Sequence, residues 1–545
     1  MNQPPETSSG APPPRPSYRT FLIALAFWAA GMLMAHGPMI RSGLARVQGD
    51  LGDPRLMHYM LEHGYRWITG DPLHRNYWDP PVFYPARNTA ATSETILGAA
   101  PIYWLWRAIG VPVDTAYPLW ILAISSLNYL ATFFLLRRVL GRSAFAAGFG
   151  SSLVSFASLR MAQLGHPQLL PAFYFVLVVY ALLRTFQQPD ARQGARWIAL
   201  FAIALVGQFY TCFYVAWFLA LALGLALGWA LLLPSLRPQS LPALRRHVLG
   251  LALAGIGVGL ALLPLITHSL KAASEIGYRG YDEAEVYLPR AQSWFYFGPD
   301  HWLYGWMSGF WPFTQVPARV FEHALGLGAL TWVLTILGLW NLRRTPLGRI
   351  LVAVSLTLLA CTLMIPGGAS VWGLIYLLVP GAKAIRAVAR VSLVLLLPAS
   401  AGAASFLDES RWKKPLLIAA ALFSLLEQGR SSPSFDRREI RDATKALARR
   451  VDPSCEAFFY TASEAPRSDA FLNSLPSRFH ADALMASLEA GVPTVNGYSG
   501  GSPPGWPFEG STLSGDEREI ERELEDWCRS KGLDRRRIQW LRGAR

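Results

Sequence analysis

The sequence predicts a polytopic α-helical membrane protein with a small α/β domain at its C-terminus. Of its 545 residues, 52% are hydrophobic and only 16% are charged, whereas ordinary globular domains carry about 25% charged residues. Apolar runs of roughly 17–22 residues recur along the chain, which is the length needed to cross a hydrocarbon layer of about 30 Å. These runs have almost no polar face, and this excludes a large soluble core.

Eleven apolar segments are predicted to span the membrane. The first run is longer than the apolar part of a usual signal peptide, and no convincing A-x-A cleavage site follows it, so we interpret it as a retained anchor. The predicted spans are residues 20–36, 116–136, 143–159, 169–184, 196–212, 213–234, 247–267, 324–341, 349–366, 386–406 and 414–427.

The distribution of positive charge predicts the side of the membrane that each connector occupies. The net charge of +14 needs no nucleic acid partner, because Lys and Arg collect in the cytoplasmic loops of membrane proteins. Short basic connectors join alternate spans, and the Pro- and Ser-rich segment 1–19 also ends in arginine. We therefore expect a multi-pass protein of the cell (inner) membrane with a cytoplasmic N-terminus. The external loops are then 37–115, 268–323 and 367–385.

Three domains are expected: a disordered cytoplasmic tail at 1–19, a transmembrane domain at 20–427 and an extracytoplasmic domain at 428–545. In the last region, helix-like runs alternate with short strand-like runs, the pattern of a small α/β domain. An exported domain can keep a disulfide, so Cys455 and Cys528 are candidates for one. The alternative is that the two cysteines are simply buried.

Ionisable residues are nearly absent from the span interiors and cluster at the predicted external ends. Ion-coupled transporters usually keep such groups near the bilayer midplane, so their absence counts against an ion-coupled carrier. It does not exclude a lipid flippase, whose groove can be polar without charge. Any chemistry is expected at the outer membrane surface.

The stretch GDLGDPRLMHYML, residues 49–61, places two carboxylates just after the first span. Pro54 is a favoured first helical residue and Asp53 is well placed to cap the helix that follows. That helix has one apolar face and one polar face, as expected for a helix lying flat in the membrane interface. Asp50 is less easily explained as a cap, and the pair suits a general base or a cation site.

Two further external stretches carry candidate binding residues. NYWDPPVFYPARNTAATSETILG (76–98) contains Asp79 and Glu94, with a loop wedged among lipid headgroups as the alternative reading. SLRMAQLGHPQLLP (158–171) combines polar groups that suit sugar hydroxyls or a phosphate, although the histidine could merely cap the next span. These residues are Arg160, Gln163, His166 and Gln168.

The stretch KAIRAVARV, residues 383–391, is the most informative basic group. Arg386 and Arg390 are four residues apart, so a helix would place them on one face, with Lys383 beside them. Guanidinium groups bind phosphate with two parallel, charge-assisted hydrogen bonds. Phospholipid anchoring is an equally weighted alternative. No Cys/His metal spacing, phosphate loop or serine-hydrolase elbow is present.

Together these motifs resemble the GT-C superfamily of membrane glycosyltransferases, over residues 20–406 and part of the tail. GDLGD stands where better-known members have a tight acidic pair, so which aspartate matches the base stays open. The matching stretches are GDLGDP with the flat helix after it, VFYPARNTAATSETILG, RMAQLGHPQLLP, the arginine-rich start of the tenth span, and PTVNGYSGGSPPGW at 493–506.

The resemblance implies inverting transfer of a sugar from a polyprenyl-phosphate donor to an acceptor on the extracytoplasmic side. Asp53 or Asp50 would be the base, Arg386 and Arg390 would bind phosphate, and Glu94 and His166 would orient sugar or acceptor. The partners would be the lipid-linked donor, a glycan, lipid or protein acceptor, and membrane lipids. A divalent cation at the two aspartates is compatible with this chemistry but not demanded by it.

Two other functions stay open at this point. A carrier or flippase for lipid-linked sugar would use the same arginines but need no external base. A non-catalytic membrane scaffold would use the tail to recruit partners. The discriminating feature is whether the first-loop aspartates share a site with Arg386 and Arg390.

Overall fold

A computed structural model describes residues 18–316, 320–461, 478–508 and 517–543, so most of the predicted disordered segment 1–19 lies outside the described residues. The α-helices are α1 (Tyr18–Arg41), α2 (Asp53–Ile68), α3 (Ala100–Ala108), α4 (Val113–Arg138), α5 (Ala144–Phe156), α6 (Ser158–Met161), α7 (Phe173–Phe186), α8 (Ala191–Thr211), α9 (Phe213–Leu232), α10 (Arg237–Ile276), α11 (Tyr281–Val286), α12 (Ala329–Leu342), α13 (Pro346–Thr362), α14 (Trp372–Leu378), α15 (Val391–Glu409), α16 (Lys414–Leu426), α17 (Arg437–Ala448), α18 (Arg478–Ala490) and α19 (Glu517–Lys531). The strands are β1 (Arg46–Gln48), β2 (Ser434–Asp436), β3 (Ala457–Thr461) and β4 (Ile538–Arg542).

The fold is a polytopic helical bundle, as predicted, and each of the predicted spans coincides with a helix. Within the described residues, seven helices are long and apolar enough to cross a membrane: α1, α4, α7 to α10 and α15, with α7 and α15 extended by short turns before them. Three shorter apolar helices, α12, α13 and α16, add to these. The count of eleven spans stays a prediction, because α5 has only 13 residues.

Helix α15 lies at the centre of the bundle and α10 at its edge. In α15 and its preceding turn, 83% of the most apolar stretch is buried, whereas in α10 only 11% is buried. A helix that is apolar all round and uncovered by protein faces lipid. At 40 residues, α10 is also far longer than the predicted span 247–267, so it extends beyond the roughly 20 residues that cross the bilayer.

Helix α2 differs from the expected interfacial helix, because its polar face is covered as well as its apolar one. Arg55, Glu62 and His63 are all buried. Glu62 accepts hydrogen bonds from the Arg107 guanidinium at 2.8 Å and from the Tyr103 hydroxyl at 2.9 Å. The first loop folds back on α2, which satisfies polar groups that a helix in the interface would present to water.

The C-terminal region combines helices with two small sheets. Strands β3 and β4 are parallel, with Ala457 opposite Ile538. Strand β2 leaves this region and pairs antiparallel with β1 of the first loop, with Arg46 opposite Asp436. The Asp436 carboxylate then caps α17 by accepting the backbone N–H groups of Arg438 and Glu439. The exact domain boundary at 428 stays a prediction.

The expected disulfide between Cys455 and Cys528 is absent, because both cysteines are free. Cys528 is buried in the main apolar core. Cys455 instead packs beside a separate cluster that includes Leu447 and Phe458. The alternative of a simply buried cysteine therefore holds for Cys528, whereas Cys455 is only partly buried.

Candidate active site at one end of the helical bundle

The acidic loop that begins at Gly49 is held between strand β1 and helix α2. Gly49 has a φ of +121°, and an added Cβ would lie 2.9 Å from the Pro54 ring, so only glycine suits this turn. The backbone N–H of Gly49 donates to the Pro433 carbonyl at 2.9 Å. The C-terminal region therefore fixes the position from which Asp50 and Asp53 project.

Asp53 does not cap α2, in contrast to the simplest sequence-based interpretation. The residue at the N-cap is Gly52, and no side chain caps the helix. One carboxylate oxygen of Asp53 instead accepts a hydrogen bond from the Tyr498 hydroxyl at 2.8 Å. Its other oxygen lies 3.8 Å from Nε2 of His166. Asp53 thus takes part in tertiary contacts rather than in helix capping.

Asp50 lies in the same loop and has an unusual environment. Its Oδ1 accepts the backbone N–H of Gly52 at 2.8 Å, and a Cβ at Gly165 would lie 2.8 Å from its Oδ2. Burial raises the pKa of Asp50 to about 6, and the nearby Asp53 charge adds to this increase while the Gly52 N–H opposes it. A carboxyl with a pKa near neutrality is a property of many functional sites.

Arg390 and Glu322 form a buried ion pair next to this acidic loop. Nη2 of Arg390 lies 2.6 Å from a Glu322 carboxylate oxygen, and the two side chains are 6% and 1% exposed. Gln163 donates to the same carboxylate at 3.3 Å. Burial alone would raise the pKa of Glu322, but Arg390, His166 and Gln163 together hold it below its usual value.

Arg386 and Arg390 do not share a helix face, because α15 begins only at Val391. Arg390 ends a short 3-10 turn, Val388–Arg390, and the residue before that turn is not helical. Arg386 lies in the irregular segment ahead of it and is 37% exposed, with Nη1 4.0 Å from Glu283. Arg386 is therefore the more accessible of the two arginines.

His166 is next to Asp53 of the acidic loop and is within electrostatic range of both arginines. Burial lowers the pKa of His166, and the charges of Arg390 and Arg386 lower it further against the opposing effects of Asp53 and Glu322. These four charged groups are thus all near one imidazole. Arg386 also acts on the Tyr498 hydroxyl that binds Asp53. The two clusters that the sequence predicted separately meet at one site.

Glu94 is held at the start of α9, where the charge of Arg390 also acts on it, and Asp79 is held within its own loop. The Glu94 carboxylate accepts the backbone N–H of Phe213 at 2.7 Å, which caps the start of α9. Asp79 accepts the backbone N–H of Asn88 at 2.6 Å and the Asn76 amide at 2.7 Å. Both residues hold the loop between α2 and α3 in place.

The other predicted site residues separate into buried and exposed ones. The guanidinium of Arg160 is buried and donates to the carbonyls of Val154, Leu169 and Leu170, so it holds the corner before α7. Lys383 is exposed. Gln168 is buried, and its Oε1 has no hydrogen-bond partner among the described residues.

Besides Oε1 of Gln168, two other buried polar atoms in the stretch around His166 have no hydrogen-bond partner among the residues that the structure describes. Oε1 of Gln163 and Nδ1 of His166 are also buried and lack a partner within the described part of the chain. Buried polar atoms without partners are uncommon in folded proteins and are often satisfied by a ligand or water. This stretch therefore suits contacts with a polar molecule.

Sequence analysis missed Tyr498 and Glu322 as individual site residues. Tyr498 lies in the stretch PTVNGYSGGSPPGW, whose turn residues and aromatics marked the region but not this hydroxyl. Glu322 is a lone carboxylate just before the predicted span 324–341, on the same predicted side as Arg390. Opposite charges at the ends of two spans were the available signal.

No group of three or more His, Cys, Asp or Glu side chains within the described ranges is arranged to hold a metal ion. Asp50 and Asp53 alone supply two carboxylates. A divalent cation at this pair, which the sequence allowed, stays a prediction.

The fold and the site define a polytopic helical membrane protein with an acid–base cluster at one end of its bundle. No family model and no curated protein matches the chain. Among solved structures, ArnT from Cupriavidus metallidurans in the apo state is 14% identical, with a TM-score of 0.37 over 93% of this chain and 90% of that chain.

The same protein bound to undecaprenyl phosphate is also 14% identical, with a TM-score of 0.33 over 96% of this chain and 89% of that chain. ArnT is a GT-C glycosyltransferase.

Proposed function

We propose that this protein is a membrane glycosyltransferase that moves a sugar from a polyprenyl-phosphate donor to an acceptor on the extracytoplasmic side. The observation that carries the proposal is that His166 lies 3.8 Å from Asp53 and is also acted on by the charges of Arg386 and Arg390. A carboxylate to accept a proton and a guanidinium to bind phosphate are the two groups that such a transfer needs.

The reaction can be written with these groups in defined roles. The Asp53 carboxylate accepts the proton of the acceptor hydroxyl as that oxygen forms a bond to the anomeric carbon. The bond from the anomeric carbon to the phosphate oxygen breaks, and its electron pair leaves with the polyprenyl phosphate. Attack opposite the leaving group inverts the anomeric centre. No nucleotide is consumed, which suits a reaction outside the cell.

Arg386 is the residue that we assign to the leaving phosphate. It is half-exposed, so a ligand can reach it, and its guanidinium can bind phosphate through two hydrogen bonds. Negative charge that develops on the phosphate is stabilised most by a cation already in place. Arg390 is buried and already paired with Glu322, so we assign it to positioning rather than to direct phosphate binding.

Tyr498 and Asp50 support the base. The hydrogen bond from Tyr498 orients one oxygen of Asp53 and leaves the other free for an acceptor hydroxyl. Asp50, with a pKa near 6, is the second carboxylate that this loop offers as base. A proton on Asp50 at mildly acidic pH reduces the repulsion between the two carboxylates.

The test combines genetics with a defined carboxylate variant. Lipid-linked sugars and surface glycans are analysed by mass spectrometry in cells with the gene, without it, and with D53N as the sole copy. We expect one glycan to disappear in both mutants while its lipid-linked sugar accumulates. A D53N strain with normal glycans would refute the base, and normal glycans in the deletion strain would refute the transferase.

A matched control shows whether the loss depends on the position of the carboxylate that is removed. Glu525 is an exposed carboxylate on α19, so E525Q removes the same charge away from the site. We expect the E525Q strain to keep wild-type glycans. A flippase would behave differently, because D53N would then leave the distribution of its lipid-linked sugar across the membrane unchanged.

A further inference from the structure

A cavity of about 340 Å³ lies between α2, the start of α4, α17 and α18, and the transfer reaction proposed above does not use it. Pro54, Arg55 and His58 line it from α2. Arg55 follows Asp53 by two positions, which is about 200° around an α-helix. The cavity is therefore on the side of α2 away from the contact between Asp53 and Tyr498.

The lining of this cavity is strongly basic. Two acidic residues, Asp114 and Glu489, face six basic ones. Asp114 is already engaged, since it lies 3.0 Å from Arg437 and 3.6 Å from Arg441. The other arginines of the lining also have acidic partners just beside it, with Arg55 next to Asp482 and Arg107 next to Glu62. The charge is thus largely compensated by these neighbours, and what points to a ligand is the set of guanidinium N–H groups without an acceptor in the described ranges. The basic lining residues are Arg55, Arg66, Arg107, Arg437, Arg441 and Lys445.

The guanidinium group of Arg55 has N–H donors that lack a hydrogen-bond acceptor in the described part of the chain. Its side chain is 3% exposed, and its Nη2 lies 2.7 Å from Asp482. Its Nε and Nη1, and Nε of Arg437, are buried without a hydrogen-bond partner among the described residues. A buried guanidinium that cannot donate its hydrogen bonds is destabilising, so these donors suit an anion bound in the cavity.

The rest of the wall is apolar. Val113, Phe435, Ile440 and Leu488 line the cavity beside the guanidinium groups. Val113 begins α4, a candidate membrane span, so the cavity opens near the level at which a bilayer surface would lie. The volume is at the lower end of the range for small-molecule sites, about 300–1,000 Å³. A phosphate ester with an apolar neighbour matches this combination of size, charge and apolar surface.

We propose that this cavity binds a phosphate ester, held by Arg55, Arg437, Arg441 and Lys445, at a site separate from the transfer reaction. Arg55 and Asp53 belong to the same turn of α2, and Arg437 and Lys445 belong to α17. A bound phosphate therefore links the acidic loop to the C-terminal region. The phosphate can come from a lipid headgroup or from a soluble phosphorylated sugar, and the two sources share this chemistry.

The test measures binding by the full-length protein in a phosphate-free detergent. Thermal unfolding is followed during titration with phosphatidylglycerol and, separately, with glucose 1-phosphate, and diacylglycerol and glucose serve as phosphate-free controls. Stabilisation by phosphatidylglycerol alone identifies a lipid source, and stabilisation by glucose 1-phosphate identifies a soluble one. If neither probe raises the unfolding temperature above its control, the site does not exist.

Two variants locate the effect in this cavity. R441Q and K445Q each change a lining residue that is not buried, so both proteins are expected to fold, and each should bind the active probe about fivefold more weakly. R449Q changes an exposed arginine just after α17 that does not line the cavity and should bind like wild type. Equal affinities for all three variants would overturn the assignment. Binding is measured without turnover, so failure of the transferase proposal would not affect this result.

Discussion

Oδ2 of Asp53 and Nε2 of His166 lie 3.8 Å apart, although the first-loop helix and the corner before α7 supply them separately. Because burial and two nearby arginines lower the pKa of His166, its imidazole is neutral at neutral pH. It therefore forms no strong ion pair with Asp53. The Asp53 oxygen that faces His166 is therefore available to a hydroxyl group of another molecule.

Replacing Asp53 tests the base directly. D53N keeps an oxygen that accepts the Tyr498 hydroxyl but cannot take a proton from an acceptor. Loss of a general base lowers the rate by roughly 10²–10⁴-fold, so we expect at least a hundredfold loss of transfer to the cellular acceptor in membranes. E525Q should retain full activity, and a D53N protein within tenfold of wild type would move the role to Asp50.

The raised pKa of Asp50 predicts a pH-dependent gain in stability for D50N. Between its ordinary pKa of 3.8 and its folded value of about 6, the folded protein holds a proton that the unfolded chain releases. Wild-type stability therefore falls as pH rises through this window and stays lower above it. D50N removes this loss, because Asn carries no charge.

Unfolding temperatures of wild type and D50N, measured from about pH 4 to about pH 8, check this prediction. D50N should be the more stable protein at the upper end, and the difference should shrink toward the acidic end. A constant difference across this range would show that Asp50 has no perturbed titration in the folded protein.

Arg386 should contribute to donor binding by the modest amount that its partial exposure allows. R386A removes a charged donor to phosphate, which is worth about 1.5–3 kcal/mol when well buried and about 1 kcal/mol at a half-exposed position. Undecaprenyl phosphate should therefore bind roughly fivefold more weakly, as measured in detergent by microscale thermophoresis. R386K should recover part of the loss, and equal affinity for R386A and wild type would make this arginine a lipid anchor.

The pair of Glu322 and Arg390 predicts a large loss of stability when one partner is removed. Both side chains are buried, so E322Q leaves an uncompensated guanidinium, which costs about 3–5 kcal/mol in comparable sites. We expect a clear drop in the thermal unfolding temperature. The double variant E322L/R390M should recover most of it, and an E322Q protein as stable as wild type would mean that Arg390 has another counter-charge.

Tyr498 offers a sharper test of the C-terminal region than removal of residues 430–545. Such a deletion also removes β2, the partner of β1 beside the acidic loop. Y498F removes only the hydrogen bond to the Asp53 carboxylate, and a hydrogen bond to a charged group is worth about 1.5–3 kcal/mol. Transfer should fall by roughly tenfold to a hundredfold with little change in unfolding temperature, whereas a loss confined to stability would limit Tyr498 to packing.

The helical segments were predictable because a long apolar run is a pattern of neighbouring residues and can be recognised in the sequence directly. Helix α2 was predicted as a helix from the spacing of Leu56, Met57 and Met60, but its burial was not, since that depends on distant loops. The hydrogen bond between Asp53 and Tyr498 joins residues far apart in the chain. No local pattern encodes such a pair, and for the same reason the capping role predicted for Asp53 was wrong.

The cysteines and the arginines are two further cases in which the tertiary environment of a residue could not be predicted from the sequence. Cys455 and Cys528 share a region but fill different apolar clusters, which the number of residues between them does not reveal. The four-residue spacing of Arg386 and Arg390 indicated a shared helix face only if the helix had begun before both. Because α15 begins later, one arginine is buried with Glu322 and the other stays accessible.

The pairing of β1 with β2 has a consequence for biosynthesis. Arg46 and Ser434, which are hydrogen-bonded across this sheet, are 388 positions apart in the chain. At about 5–20 residues per second, a ribosome needs roughly 20–80 s to reach the second strand after making the first. During that time the acidic loop lacks its neighbour, so a nascent chain acquires this arrangement only near the end of translation.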